Sequence, residues 1–164
     1  MPMHSSYDNR ILLRKVAYLL DFMYGPPVGS TIVAHPLRIS FSSKTKRPKA
    51  VYSDDLLVAV RRKDGYFLLE RHGLNLLSKV KLSKVVVVDD VAKPFVMKGK
   101  DVFSHHITHF IGRHYVGEDT IVTSTSGEVL GCGQLILLPP EVKSFKRGVA
   151  VKIRVGWGVI NEIE

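Results

Sequence analysis

A run of glycine corners and short β-type segments between Lys98 and Arg154 constrains this chain most. It opens on KGKDVF, passes through GCGQ at 131–134 and closes on KRGVAVK at 146–152. Glycine supplies the backbone conformations that tight turns and close strand crossings need. Lysine and arginine stand beside the glycines at both ends of the run. The pattern predicts a compact β-barrel that holds backbone amides and cations close together, an arrangement suited to a phosphate chain.

The chain of 164 residues is long enough for one ordinary domain or two small ones with a hydrophobic core. Its single cysteine, Cys132, excludes an internal disulfide and is typical of a reducing compartment. The first residues, MPMHSS, lack the basic and apolar regions of a secretion signal. No apolar run approaches the ~20 residues of a membrane span. We therefore expect a cytoplasmic protein without a membrane partner.

The formal net charge of +9 favours a polyanionic partner, for which nucleic acid is the usual choice. Residues 1–83 hold 14 Lys/Arg against 6 Asp/Glu, whereas residues 84–164 hold 10 against 9. The N-terminal half should therefore supply most of the long-range attraction. The alternative interpretation is a basic protein whose charge serves solubility alone.

The N-terminal half is predicted to open with a helix from about Asn9 to Tyr24. Apolar residues recur there at helical spacing, and Asp8 stands where an N-cap is expected. Gly25 and the two prolines after it should end the helix, because glycine takes the left-handed C-cap and proline cannot continue the hydrogen-bond ladder.

Short apolar and alternating runs then predict an antiparallel sheet. The expected strands are 37–42, 50–52, 56–60 and 66–69. The dipeptide Asp64-Gly65 predicts a hairpin turn between the last two. A short helix is expected from about Glu70 to Lys79, although Gly73 weakens it.

Two dense cationic clusters fall on the hairpin tips of this sheet, where long side chains can meet phosphates without burial. A competing interpretation is that lysine-rich tips protect a small sheet from edge-to-edge aggregation. The candidate secondary basic patch consists of Lys44, Lys46, Arg47, Lys49, Arg61, Arg62 and Lys63.

A break near residues 80–84 is predicted to separate two domains. The expected organisation is a mixed domain at 1–82, a second domain at 83–158 and a tail at 159–164. The apolar run Val85–Val88 predicts a strand buried on both faces. Asp90 is expected to cap a short helix through Met97, and Gly99 to end it.

Four glycine-containing or basic segments follow one another in the C-terminal half, namely Lys98–Ser104, Gly117–Val122, Gly127–Gly133 and Phe145–Lys152. With these segments in this order and spacing, residues 84–156 resemble a PUA domain, the RNA-binding barrel of pseudouridine synthases and archaeosine transglycosylases. The closing segment Phe145–Lys152 is the most specific match. The chain departs from the family between His105 and Val116, where relatives carry an acidic, proline-containing stretch.

The N-terminal half carries a weaker resemblance. Residues 14–22 and the strands after them resemble the small mixed domain that precedes the PUA domain in archaeosine tRNA-guanine transglycosylase. The whole chain resembles the C-terminal tail of that enzyme, and standalone archaeal PUA proteins have the same layout. The resemblance implies an α+β fold, with a small mixed N-terminal domain of helix and antiparallel sheet followed by a PUA β-pseudobarrel.

In PUA domains the RNA groove lies beside the first helix, the turn after it and the closing strand. Carried onto this chain, the resemblance implies a nucleic-acid site of cations, glycine turns and apolar supports. Its candidate residues are Lys98, Gly99, Lys100, Val102, Phe103, Ser104, Lys146, Arg147, Gly148, Val149, Lys152 and Arg154. Tyr115 and Trp157 are further candidates for stacking on bases, whereas Phe103 is expected to lie mainly in the core.

Few residues suggest catalysis or metal binding. Four histidines lie close in sequence, at His105, His106, His109 and His114. Only Asp101 is near enough in sequence to help complete a metal-ligand set, so histidines that hydrogen-bond or stack on bases are the favoured interpretation. Cys132 lies between two glycines without an assigned base partner and is expected to be a small buried residue. We predict no enzyme activity, no cofactor and no metal.

These features predict a non-catalytic protein that binds RNA, with tRNA near its acceptor end as the expected ligand. It would support a tRNA-modification enzyme such as a tRNA-guanine transglycosylase-like chain. The alternative is a ribosome-biogenesis or translation-associated factor, which would act on a ribosomal subunit mainly through protein–protein and rRNA contacts.

Overall fold

The structure, a computed structural model, describes residues 6–157. Helix α1 spans Ser6–Tyr24 and ends where Gly25 adopts a φ of +82°, as the Gly-Pro-Pro sequence predicts. The helix starts before the predicted Asn9, so Asp8 lies inside it and not at its N-cap. The predicted tail at 159–164 lies outside the described residues.

A second helix, α2, occupies Val28–Val33, where the sequence analysis predicted no element. It crosses α1 at Gly29, whose amide donates to Asp21 Oδ1 at 2.7 Å. A Cβ on Gly29 would lie 2.0 Å from the carbonyl oxygen of Ala17. The close contact with α1, and not local helix propensity, therefore explains this short helix.

The first sheet is antiparallel, as predicted, and its strands lie in chain order. The strands are β1 Arg38–Phe41, β2 Pro48–Ser53, β3 Leu56–Arg61 and β4 Phe67–Leu69. The β1–β2 and β3–β4 turns lie at one end of the sheet, because successive antiparallel strands reverse direction. Helix α3, Arg71–Leu76, is shorter than predicted and lies directly on β3, since a Cβ on Gly73 would meet the Val58 carbonyl oxygen at 2.4 Å.

The second sheet has six strands in the order β6-β10-β9-β8-β5-β7 and curls into a half-barrel. The strands are β5 Val85–Val88, β6 Val102–Phe103, β7 Ile107–Ile111, β8 Asp119–Ser124, β9 Val129–Leu135 and β10 Val149–Gly156. Helix α4 (Lys93–Met97) follows β5, and α5 (Pro139–Ser144) precedes β10. A 3-10 turn, Ser104–His106, joins β6 to β7. The two sheets and their helices confirm the predicted α+β class.

The segment between β5 and β6 corrects one prediction. Asp89 Oδ1, and not Asp90, accepts the backbone amide of Ala92 at 2.9 Å, just before α4 begins. Residues 90–92 form a turn between β5 and α4, and this turn places Asp89 next to the start of the helix. Gly99 ends the segment with a φ of +83°, as predicted.

The buried residues between positions 6 and 157 form two hydrophobic clusters. Val85 and Val87 face the first cluster, which α1 and the first sheet share, whereas Val86 and Val88 face the second, together with Val96 of α4. This alternation follows from the two-residue period of a strand, and all four valines are buried as predicted. The halves therefore pack through a common core, and the boundary at 80–84 stays a prediction.

Candidate nucleic-acid interface

Strands β6 and β10 bring together the two basic segments that the sequence singled out. Phe103 pairs with Val149 in antiparallel register. Ser104 donates its amide to the Gly148 carbonyl at 3.0 Å and its hydroxyl to the Phe145 carbonyl at 2.6 Å. Segments about 45 residues apart in sequence therefore lie side by side along one edge of the second sheet.

We call this surface, residues 98–104 and 145–152, the β6–β10 edge. Its cations and glycines are exposed, namely Lys98, Gly99, Lys100, Lys146, Arg147, Gly148 and Lys152. Gly148 adopts a φ of +120°, which side-chain-bearing residues rarely take, so glycine lets the chain turn into β10 there. Long cationic side chains and turn backbone are accessible along the same edge.

Three other candidate residues of this edge face the protein interior. Val102 and Ser104 are buried, and Val149 is half-buried. Phe103, in contrast, is 45% exposed, so the expectation that it lies in the core is wrong. Adjacent residues of a strand face opposite sides, and Val102 takes the inward side of β6.

Arg154, at the far end of β10, is turned inward. Its guanidinium donates to Asp119 Oδ2 at 2.9 Å, to Glu70 Oε1 at 3.1 Å and to the Leu69 carbonyl at 2.6 Å. Burial disfavours the charge, but the hydrogen bonds to Asp119 and the acidic groups around the guanidinium together raise the pKa of Arg154. Because its donors are engaged inside the protein, Arg154 is removed from the candidate phosphate ligands.

The same network contains a buried tyrosine and a buried cysteine. Tyr24 donates its hydroxyl to Asp119 and accepts the amide of Leu69 at 3.1 Å. Burial and the charge of Asp119 raise the pKa of Tyr24 well above its ordinary value. Burial likewise raises the pKa of the Cys132 thiol, which is fully buried as the sequence predicts. We call this set the junction network: Tyr24, Leu69, Glu70, Asp119, Cys132 and Arg154.

The four histidines are spread over different environments. His106, in the 3-10 turn, faces the Asp89 carboxylate, with 3.0 Å between Nδ1 and Oδ2. His109 is exposed on β7, whereas His114 is buried with its Nε2 at 2.9 Å from the Ile111 carbonyl oxygen. In the part of the chain that the structure describes, no group of three or more His, Cys, Asp or Glu side chains could hold a metal ion.

Both basic hairpin tips of the first sheet lie at the same end, beside α1. A depression of about 320 Å³ there is lined by Lys15, Arg47 and Arg61, among others. Lys15 belongs to α1, so its proximity to the tips depends on how α1 packs on the sheet. Arg62 forms an ion pair with Asp64 of its own turn. We call the secondary basic patch together with Lys15 the hairpin-end surface.

A larger cleft, of about 870 Å³, lies between α3 and the end of β10. Polar residues of both halves line it, among them Arg71, Asn75 and Lys98, together with Trp157. Trp157 also packs against the shared core and is half-buried, so only part of its ring is available for stacking. Arg71 and Asn75 belong to no recognisable motif, and only the tertiary fold reveals that they line this cleft.

Among residues 6–157, no helix combines the length and the apolar composition that crossing a bilayer requires.

Two family models together match most of the chain. Residues 14–81 match the patch-forming domain C2 of tRNA-guanine transglycosylase, and residues 84–156 match the PUA domain. The chain is a PUA-domain protein. The two matched ranges coincide with the two sheets, so the PUA domain contains the β6–β10 edge and the C2 domain contains the hairpin-end surface.

Curated relatives of this PUA-domain protein are longer enzymes. Over 148 residues it is 31% identical to the tRNA-guanine(15) transglycosylase of Thermoplasma volcanium, a match that covers 88% of this chain and 23% of the relative. The corresponding enzyme of Methanobrevibacter smithii is 26% identical over 148 residues, covering 88% and 22%. The chain thus spans about a quarter of the length of these relatives, and its homology is to their C-terminal region.

Two solved structures share the fold over nearly the full chain. A hypothetical protein of Pyrococcus horikoshii has a TM-score of 0.67 at 21% identity, covering 90% of this chain and 93% of that one. A conserved PUA domain protein of Thermoplasma acidophilum has a TM-score of 0.67 at 20% identity, covering 94% and 91%. At these identities the comparison establishes the fold alone.

Proposed function

We propose that this PUA-domain protein binds RNA without catalysing a reaction, and that its ligand is tRNA near the acceptor end. The observation that carries the proposal is the meeting of two basic, glycine-containing segments along the β6–β10 edge. Proteins hold phosphates with exposed cations and backbone amides, and this edge offers both. The relatives that share this region are named tRNA-guanine(15) transglycosylases, which supports tRNA as the class of RNA.

The proposed role is to support a tRNA-modification enzyme. The chain corresponds to about a quarter of each curated relative, so the chemistry is assigned to a transglycosylase-like enzyme that acts with it. The thiol of Cys132 is fully buried and its pKa is raised, which argues against a nucleophilic role for this residue. The proposal includes no cofactor and no metal.

In this proposal the hairpin-end surface and the β6–β10 edge have different roles in RNA binding. The hairpin-end surface gathers cations from α1 and from both hairpin tips, and it provides long-range attraction that raises the association rate. The β6–β10 edge then sets the placement of the RNA, because its cations stand on fixed strands and turns.

One observation favours the second candidate, a ribosome-biogenesis or translation-associated factor that works through protein–protein and rRNA contacts. Tyr18 and Phe22 of α1 are 67% and 73% exposed, and Phe22 stacks on Tyr66 with 5.7 Å between ring centroids. Exposed aromatic groups of this kind are typical of protein-binding surfaces. Binding to ribosomal subunits without affinity for free tRNA would support this candidate against the first.

The principal test replaces Lys146 and Arg147 together by alanine. We expect tRNA binding to weaken by about 1–3 kcal/mol, because two charge-assisted phosphate contacts are lost, and the salt dependence to become shallower. The measurement is a titration of labelled tRNA at several salt concentrations, with a CCA-end oligonucleotide as competitor.

The matched control replaces Lys79 and Lys81 by alanine, since both are exposed and the change removes the same charge away from the two proposed surfaces. Its affinity for tRNA should fall much less. Equal losses of tRNA affinity in the two double variants would mean that binding depends on net charge alone. That result would contradict the assignment of the β6–β10 edge.

A further inference from the structure

Three aromatic rings stand in a row beside the β6–β10 edge. The ring centroids of Phe103 and His105 are 6.2 Å apart, with an interplanar angle of 27°. The centroids of His105 and His106 are 4.0 Å apart. Phe103 is 45% exposed and His105 is also exposed, whereas His106 is half-buried. Two neighbouring rings are therefore exposed to solvent, with a third ring behind them.

The inner ring of the row is fixed by Asp89. His106 Nδ1 lies 3.0 Å from Asp89 Oδ2, and the Asp89 amide donates to the His106 carbonyl at 2.9 Å. The carboxylate of Asp89 also accepts the Ala92 amide at 2.9 Å, which ties the turn to the start of α4. Burial opposes its charge, but the hydrogen bonds from His106 and Ala92 lower the pKa of Asp89 and keep it ionised. Asp89 thereby anchors the His106 end of the 3-10 turn.

The exposed rings lie next to the closing segment. Phe103 pairs with Val149, and the amide of the following residue, Ser104, donates to the Gly148 carbonyl at 3.0 Å. Arg147, which precedes Gly148, is exposed. A chain whose base stacked on the rings would therefore have cations within reach of its phosphates, which is the combination that single-stranded nucleic acid needs.

We propose that Phe103 and His105 form a stacking platform for an unstacked base of single-stranded RNA, with His106 and Asp89 as positioning residues. The platform rests on the proposed RNA-binding function and deepens it, because it assigns a role to histidines in the stretch where the sequence departs from its family. Stacking uses the face of the base, so the platform is tolerant of base identity.

The test uses the full chain and a single-stranded RNA oligonucleotide that carries 2-aminopurine at one position at a time. Stacking on the platform should quench the fluorescence of the probe at one or two adjacent positions. His105→Ala and Phe103→Leu should each weaken binding about 5- to 150-fold and remove that quenching, whereas His105→Phe should restore both. His109→Ala is the matched control, because this exposed histidine stands on β7 outside the row, and it should bind like the unchanged chain.

The positioning residues need a separate readout. His106→Ala should reduce quenching, whereas His106→Asn should retain it, because the asparagine amide can still donate to Asp89. Loss of quenching in both variants would overturn the positioning role.

Unchanged affinity and quenching in folded His105→Ala and Phe103→Leu variants would overturn the platform. If tRNA affinity nevertheless fell when Lys146 and Arg147 were replaced by alanine, the proposed RNA-binding function would still be supported. Failure of the unchanged chain to bind or quench any probe would overturn the platform as well, and failure to bind tRNA in addition would overturn the proposed function.

Discussion

The two ends of strand β10 place arginine in opposite environments. Just before its start, Arg147 is exposed beside the turn at Gly148. Near its end, Arg154 has a side chain only 27% exposed and donates to Glu70 of the first half and Asp119 of the second. The difference follows from neighbours in space, because the start of β10 borders the edge strand β6 and its end borders the first half.

Arginine is therefore available to attract a polyanion at one end of β10, whereas at the other end it holds the two halves of the chain together. An exposed guanidinium keeps its hydration and can exchange it for a phosphate. At the junction the guanidinium has already exchanged water for carboxylates, so removing it leaves those carboxylates buried without a counter-charge. Changes in the junction network should therefore alter stability, and changes on the β6–β10 edge should alter binding.

The largest expected effect is that of Arg154→Ala. It leaves Asp119, which is 4% exposed, without the guanidinium that balances it. We expect the free energy of unfolding to fall by about 3 kcal/mol, the lower end of the range for breaking a buried pair, because Arg154 is still partly solvated. Urea unfolding can be followed through the fluorescence of the single tryptophan, Trp157, which packs against the shared core.

Arg147→Ala is the matched control for this experiment, since it removes the same side chain from the exposed end of the strand. Its stability should stay within about 0.5 kcal/mol of the unchanged chain. Equal stability of the two variants would mean that Arg154 does not hold the junction together.

A smaller loss is expected for Tyr24→Phe. The change removes the hydroxyl that donates to Asp119 and accepts the buried Leu69 amide, while the ring keeps its place in the core. We expect destabilisation of about 2 kcal/mol, because a hydrogen bond to a charged group is lost and a buried donor is left unpaired. Tyr115→Phe offers the comparison, since Tyr115 is 58% exposed and its change should be nearly neutral in the same unfolding measurement. A neutral Tyr24→Phe would show that Arg154 alone satisfies Asp119.

Much of the fold could be predicted from local patterns. The run of four valines, the Asp-Gly hairpin and the glycine at the end of α1 each carry a local signal, and each lies where the pattern placed it. Helix α2 could not be predicted, because its stability comes from the contact of Gly29 with the backbone of Ala17. A six-residue helix has too little propensity of its own to leave a signal.

The candidate site was less predictable, for a related reason. Residue type identified the cations in and just before β10. It could not show that Arg147 is exposed and Arg154 is engaged by carboxylates, because the carboxylate partners of Arg154 are 35 and 84 residues away in sequence. Phe103 was expected in the core, because an aromatic residue in a strand is usually buried, but β6 is an edge strand with one open face. Lys15 joins the hairpin-end surface only through the packing of α1.

The smallest expected effect concerns a separate ion pair, Lys84–Glu118, and it depends on pH. Lys84 Nζ lies 2.7 Å from Glu118 Oε2 and also donates to the Met23 carbonyl at 3.0 Å, so this pair too connects the halves. Burial opposes the charge of Glu118, but His114, whose Nδ1 lies 3.5 Å away, and hydrogen bonds from Lys84 and the Tyr115 amide lower its pKa below the ordinary 4.5.

A carboxyl whose pKa is lower in the folded chain stabilises the fold above its unfolded value and loses that contribution as pH falls through the folded value. The part of stability due to Glu118 should therefore be complete at neutral pH and decline as pH falls below about 4.5.

Glu118→Gln should lower the free energy of unfolding by about 1 kcal/mol at pH 7, because the amide oxygen still accepts from Lys84. The free energy of unfolding of this variant should also fall less steeply as the pH is lowered. Urea unfolding of both chains between pH 7 and pH 3 measures this; parallel profiles would mean that Glu118 is not protonated differently in the folded and unfolded states. Arg154 and its two carboxylate partners are unchanged in Glu118→Gln, so the difference between the two profiles reports the Lys84–Glu118 pair alone.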